Sequence, residues 1–319
     1  MRRPKVARSK LHVYGVFDLS VLTMEYTGKN MVFLVGCPRS GTTWLQKLLA
    51  SHPRIRSGEE SHFFSLYVGP QLRSWNDQKT RHFNGGIGHA AGPQAYFREE
   101  EFLDILKNYL AALLNPIVGN LQPDEWFLEK TPSHALYIPE IKQLLPDSRF
   151  IHLLRDSRDV VASLMTASRS WGASWAPSNA KVAAAMWMQH VEAVRAATKN
   201  LSSNEFREIR YEELWNSPLE TLKHLAEWLG VAWSEEAVML AIESNKASVM
   251  ERGGTPIPVY GEVRARTGAL AKLPRGFIGK ARPDAWKSDL SMYEKYEVWR
   301  DTRKLMNEVG YSLGLADWL

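Results

Sequence analysis

Met31-Val32-Phe33-Leu34-Val35-Gly36-Cys37-Pro38-Arg39-Ser40-Gly41-Thr42-Thr43-Trp44 begins as a short apolar run, closes on glycine and opens into small, hydroxyl-bearing residues. An uninterrupted apolar run of this length reads as a strand buried on both faces, the pattern of a parallel sheet. Helical periodicity then starts near Trp44 and stops before Pro53. Further outward, apolar stretches at 125–128, 149–154 and 206–211 read as strands. Helical patterns at about 99–114, 138–145 and 181–198 separate them. Strands alternating with helices predict an α/β fold, a mostly parallel sheet flanked by helices, as a single domain over residues 1–319. Ligands of such sheets gather beyond the carboxyl ends of the strands. The turn after Val35 falls there.

The rest of the chain supplies punctuation. Ser217-Pro218-Leu219-Glu220 and Ser291-Met292-Tyr293-Glu294 each predict a capped helix start, the first stopping at Gly230. Residues 70–100, polar around Gly85-Gly86-Ile87-Gly88, and 245–287, rich in proline and glycine, predict two long lid-like loops.

Composition narrows the function class. A hydrophobic fraction of 45% and a charged fraction of 24% are those of a globular chain. The longest apolar candidate for a membrane span, 102–121, is broken by Asp104, Lys107, Asn108, Asn115 and Pro116. Arg2, Arg3, Lys5, Arg8 and Lys10 form a basic tail over residues 1–10, and without it basic and acidic residues balance, so the net charge of +5 points to no nucleic-acid partner. The tail leads into no apolar signal segment, and a cytoplasmic enzyme is expected. The single cysteine, Cys37, excludes an intrachain disulfide and reads as a small buried residue. The nine histidines show no metal-ligand spacing.

The turn itself carries chemistry. Gly36 to Thr43 has the strand–turn–helix context and paired glycines of a P-loop. Its backbone N–H groups and the new helix N-terminus suit a phosphate, with hydroxyls added by Thr42 and Thr43. Thr42 stands where a nucleoside triphosphate site has its lysine, and the cation, Arg39, lies inside the loop. That favours a single phosphate-type group held without metal.

Pro38-Arg39-Ser40-Gly41-Thr42-Thr43-Trp44 resembles the 5′-phosphosulfate loop of sulfotransferases that use 3′-phosphoadenosine 5′-phosphosulfate (PAPS) and release 3′-phosphoadenosine 5′-phosphate (PAP). The run 149–163, a strand ending in Arg155-Asp156-Ser157-Arg158-Asp159 and a helix carrying Ser163, is similar to the family's 3′-phosphate motif. The resemblance implies that Arg155 and Ser163 hold the 3′-phosphate. It also puts Tyr211, in Arg210-Tyr211-Glu212-Glu213-Leu214, and Trp44 near the adenine. It covers about 31–231 and 279–310 and implies a P-loop-type fold.

Sulfuryl transfer needs a base for the acceptor proton and cations for the charge on the transferring group and leaving phosphate. Gly58-Glu59-Glu60-Ser61 resembles the segment of tyrosylprotein sulfotransferases whose second glutamate is the base, which implies Glu60. Glu59, or His62 or His89 by the logic of cytosolic members, are the alternatives. Lys130, 25 residues before Arg155 as in the tyrosylprotein enzymes, resembles the lysine on the sulfuryl group and bridging oxygen. Arg39 replaces a lysine of cytosolic members, as in the tyrosylprotein branch, and would stabilise the leaving phosphate. Trp171 and Trp175 suggest an aromatic wall for a hydroxyl-bearing small molecule, sugar or lipid-like acceptor. A P-loop kinase and a binding module without catalysis are the competing readings. The dimerisation pattern Lys-x-x-x-Thr-Val of many cytosolic members is absent, and the sequence leaves the oligomeric state open.

Overall fold

β1 (Met31–Val35) is buried at every residue and lies at the centre of the sheet. The computed structural model describes residues 26–84, 92–251, 277–278 and 281–311. Five strands run in the order β2-β3-β1-β4-β5: β2 (Ile55–Ser57), β3 (Trp126–Glu129), β4 (Arg149–Leu154) and β5 (Phe206–Arg210). Every pairing is parallel, with Met31 opposite Phe127 and Val32 opposite Arg149.

Strand alternation sorts the core into two faces. Met31, Phe33 and Val35 pack with α2 (Val68–Asn84), α3 (Glu99–Val118) and α4 (Ile138–Leu144). Val32 and Leu34 pack with α1 (Thr42–Leu49) and α8 (Pro218–Leu229). A third cluster joins α5 (Ser157–Ser168) and α6 (Ala180–Thr198) to the last two helices, α11 (Trp286–Asp289) and α12 (Met292–Glu308). Between these come α7 (Tyr211–Asn216), α9 (Glu235–Ser244) and α10 (Ala247–Glu251).

Four points of the sequence reading need correction. Residues 70–84 are not loop: α2 runs to Asn84, because Val68, Leu72 and Trp75 share one buried stripe and the Trp75 ring stacks on Phe102 at 4.2 Å. The polar residues between them make its outer face. The second lid region, 245–287, begins with the C-cap of α9 at Asn245 and with α10, and most of it lies outside the described residues, as does the basic tail. β2 escaped notice because three residues are too few to show a period. Of the two capping boxes, the one at Ser291 forms. Ser217 is an N-cap whose side chain makes no cap bond. Among the described residues no helix is long and apolar enough to cross a membrane.

One tryptophan ties the helical layer to the sheet's ligand end. Trp187 of α6 is wholly buried, and its Nε1 donates to the backbone oxygen of Arg155 at 2.9 Å, just past β4. Trp187→Phe removes that donor and leaves a void. We expect a loss of about 1–3 kcal/mol, read as a lower urea midpoint with an unchanged m-value.

Candidate active site

The loop after β1 is held in a conformation few sequences allow. Arg39 has φ 77° and Gly41 φ 96°. A β-carbon at Gly41 would lie 2.5 Å from the Tyr211 ring, so the position requires glycine both for its backbone and for the approach of that ring. α1 then starts at Thr42, and its first amides, those of Thr42 and Thr43, have no intrahelical acceptor and no side-chain cap. Ser40 is buried behind the loop, and Cys37 is buried with its thiol pushed up by desolvation, which makes it a packing residue.

A cavity of about 1060 Å³ opens over this end of the sheet. From the loop it is lined by Pro38, Arg39, Gly41, Thr42, Thr43 and Trp44. Arg155, Ser163 and Tyr211 line it from just past β4, from α5 and from α7, and Glu60 and His62 from the segment after β2. Lys130 is buried behind the lining and reaches the cavity through its hydrogen bond to Glu60. Of the base alternatives, Glu59 is exposed away from the cavity lining, and His89 lies outside the described residues.

Arg155 is 6% exposed and joins several elements. Its Nη1 donates to the Arg39 carbonyl at 3.4 Å and its Nη2 to the Arg282 carbonyl at 3.2 Å. The guanidinium lies 4.0 Å over the Tyr211 ring and 3.7 Å from the Asp159 carboxylate. Its Nε, also buried, has no partner among the described residues, an unmet donor at this end of the sheet. Burial pushes Asp159 up to about 6 despite Arg155, and pushes Tyr211 up to about 12. The Tyr211 hydroxyl donates to the Ala281 carbonyl at 2.6 Å.

Aromatic rings form two walls. Trp44 packs against Tyr211 and Trp215 at 5.7 and 5.8 Å between centroids, with its Nε1 donating to the Asn245 carbonyl. On the other side the Arg39 guanidinium sits over Trp171 and Phe277, at 5.1 and 4.7 Å. Arg39 Nε donates to the Ser163 hydroxyl at 3.1 Å, so the residues from the two phosphate motifs touch directly. Burial and Arg155 lower the Arg39 pKa to about 10, which still leaves it charged. Trp215 and Phe277 were missed from sequence. Trp215 is four residues after Tyr211 and so on its helix face, a legible signal. Phe277 sits in a stretch without periodicity and gave none.

Glu60 accepts from Lys130 Nζ and lies 3.4 Å from His62 Nε2. Burial opposes its ionisation, but the His62 and Lys130 interactions prevail and hold its carboxyl below the ordinary value. The bond to Glu60 raises His62 in turn. A carboxylate ionised at neutral pH, beside a buried ammonium and facing a phosphate-binding loop, can take a proton from a hydroxyl in the cavity.

The sequence profile of the sulfotransferase family matches residues 31–235. The chain belongs to that family. It is 26% identical over 208 residues to a putative protein-tyrosine sulfotransferase of Caenorhabditis briggsae, covering 65% of this chain and 68% of that one. It is 23% identical over 238 residues to protein-tyrosine sulfotransferase 2 of Gallus gallus, covering 73% of this chain and 60% of that one. In structure it is similar to the sulfotransferase domain of the Synechococcus PCC 7002 olefin synthase, with a TM-score of 0.53 at 18% identity, covering 91% of this chain and 98% of that one. A mouse sulfotransferase complexed with PAP superposes with a TM-score of 0.51 at 14% identity, covering 91% and 95%. The sulfotransferase profile runs from β1 to the end of α8 and beyond, so it takes in the loop, Glu60, Lys130, Arg155 and Tyr211 together.

The close approach of Gly41 to Tyr211 gives a test. Gly41→Ala should destabilise the fold by about 2–4 kcal/mol and abolish the response of the melting temperature to PAP.

Proposed function

We propose that this sulfotransferase moves the sulfuryl group of PAPS to a hydroxyl acceptor by in-line transfer, with Glu60 as general base. The observation that carries the reading is the Glu60–Lys130 pair facing the same cavity as the phosphate-type loop and Arg155. The loop amides, Thr42 and Thr43 would hold the 5′-phosphosulfate, Arg155 with its spare Nε the 3′-phosphate, and Trp44 and Tyr211 the adenine. Glu60 takes the acceptor proton as the acceptor oxygen bonds to sulfur. The bond from sulfur to the bridging phosphate oxygen breaks, and the charge that develops there meets Lys130 and Arg39. Fixing both reactants over the loop removes most of the orientational cost. The Trp171–Phe277 side of the cavity suits a small molecule, sugar or lipid-like alcohol as acceptor. No metal takes part in this scheme, and EDTA should leave turnover unchanged.

The donor site is tested by titrating PAP into the protein and following the melting temperature, with ATP and ATP plus Mg²⁺ alongside. PAP should stabilise most, and Arg155→Ala should weaken it by at least about 30-fold. Preference for ATP with Mg²⁺ would favour the kinase reading. Equal affinity for PAP and adenosine 5′-phosphate would show that Arg155 holds no 3′-phosphate.

The base is tested by Glu60→Gln, which should lower kcat by roughly 10²–10⁴-fold with labelled PAPS and an alkyl alcohol, leaving PAP affinity nearly unchanged. The pH profile adds a second reading. Because Glu60 sits below its ordinary 4.5, the acid limb of kcat/KM should lie below that value, activity being lost only as the carboxylate protonates. His62, raised above 6.5, would put the limb above neutrality's acid side instead. A limb above 6.5, with Glu60→Gln active and His62→Ala dead, would transfer the role to His62.

A further inference from the structure

We propose that Glu129, backed by His134, is the positioning residue that sets Glu60 against Lys130, an inference that rests on Glu60 being the base. Glu129 ends β3, is 3% exposed and does not line the cavity. A carboxylate so deep in the protein is costly unless its lone pairs are met. Among the described residues they are met by donors from two chain segments. Oε1 accepts from the Ser61 N–H at 3.3 Å, the Ser61 hydroxyl at 2.8 Å and the Thr131 hydroxyl at 2.6 Å. Oε2 accepts from the Thr131 N–H at 3.1 Å and from His134 Nδ1 at 2.8 Å.

The sequence positions of these donors give the network its meaning. Ser61 directly follows Glu60, and Thr131 directly follows Lys130. One oxygen therefore holds the residue after the base and the residue after the lysine. The lattice extends one step on each side. The Thr131 hydroxyl accepts from the His62 N–H at 3.3 Å, and His134 Nε2 accepts from the Phe64 N–H at 3.2 Å. With its hydrogen on Nδ1 toward Glu129, His134 can accept at Nε2, so both ring nitrogens are used.

The base segment has no regular secondary structure to fix it. Glu60 to His62 lie outside any helix or strand, and His62 has φ 52°, a conformation that a non-glycine residue keeps only when its surroundings enforce it. Burial opposes ionisation of Glu129, but His134, Thr131 and Ser61 hold it down at about 2, so the clamp stays charged at working pH.

Glu129→Gln keeps the shape but turns one acceptor into a donor facing other donors. It should lower kcat by roughly 10- to 100-fold, while PAP affinity stays within about 3-fold, since the loop and Arg155 are untouched. The acid limb of kcat/KM should move up as Glu60 loses its set distance from Lys130. The deciding measurement is the double variant with Glu60→Gln. Positioning through Glu60 means the second substitution adds almost nothing to the first. Wild-type kcat in Glu129→Gln, or losses that multiply in the double variant, would overturn the clamp while leaving the base reading intact. Wild-type kcat in Glu60→Gln would overturn the base reading and the clamp with it. Where Glu129→Gln does not fold, Ser61→Ala carries the same cycle: it removes one hydroxyl donor at a half-buried position and should cost about 5-fold in kcat, again without adding to Glu60→Gln.

Discussion

A single buried guanidinium, that of Arg155, gathers the pieces that make the ligand end of this sheet. It stands one residue past β4, bonds the carbonyl of Arg39 in the loop after β1 and that of Arg282 far along the chain, and lies flat on Tyr211 beyond β5. A charge at such depth survives only with compensation. Asp159 one helical turn away, two carbonyls and an aromatic face supply it. The Trp187 indole holds the backbone of the same residue from behind. Three strand ends and a remote segment thereby share one fixed point.

Carboxylates around the cavity differ in kind because their neighbours differ. Glu60 and Glu129 both pay desolvation, and Lys130 and His62 beside the first, and His134, Thr131 and Ser61 around the second, prevail and keep the acid ionised. Asp159 is pushed the other way, to about 6, since its burial and the nearby Asp156 outweigh Arg155 and two backbone donors. Glu212, bonded to the Tyr311 hydroxyl and the Asp156 amide, is also raised by burial. Two acids are thus held ionised on the Lys130 side and two are raised on the Arg155 side.

What the sequence made legible was local. The apolar run 31–35, the glycine spacing after it and the strand that ends at Arg155 carry their meaning within a dozen residues, and the alternation of elements follows from period alone. α2 was hidden because its buried stripe is short and interrupted by Gly69, Pro70 and many amides, so composition spoke louder than period. Glu59 and Glu60 are indistinguishable by type, and only the fold turns Glu60 to Lys130. The tie of Glu129 to Ser61 spans 68 residues, and the contact of Arg39 with Phe277 spans 238. No window along the chain contains such pairs.

The pairing register also has a consequence for how the molecule comes into being. β1 finds its two neighbours only at Phe127 and Arg149, and no hairpin joins any two strands of the sheet. Closing such long loops must precede the reward of pairing, which makes parallel sheets slow to assemble. During synthesis, the chain from Met31 to Trp44 emerges ahead of β3 and β4 and has nothing to pair with until they have followed. Its apolar strand is therefore exposed while the whole stretch up to β4 is made, and the phosphate-type loop, which precedes both partners of β1, must wait for them to acquire its shape.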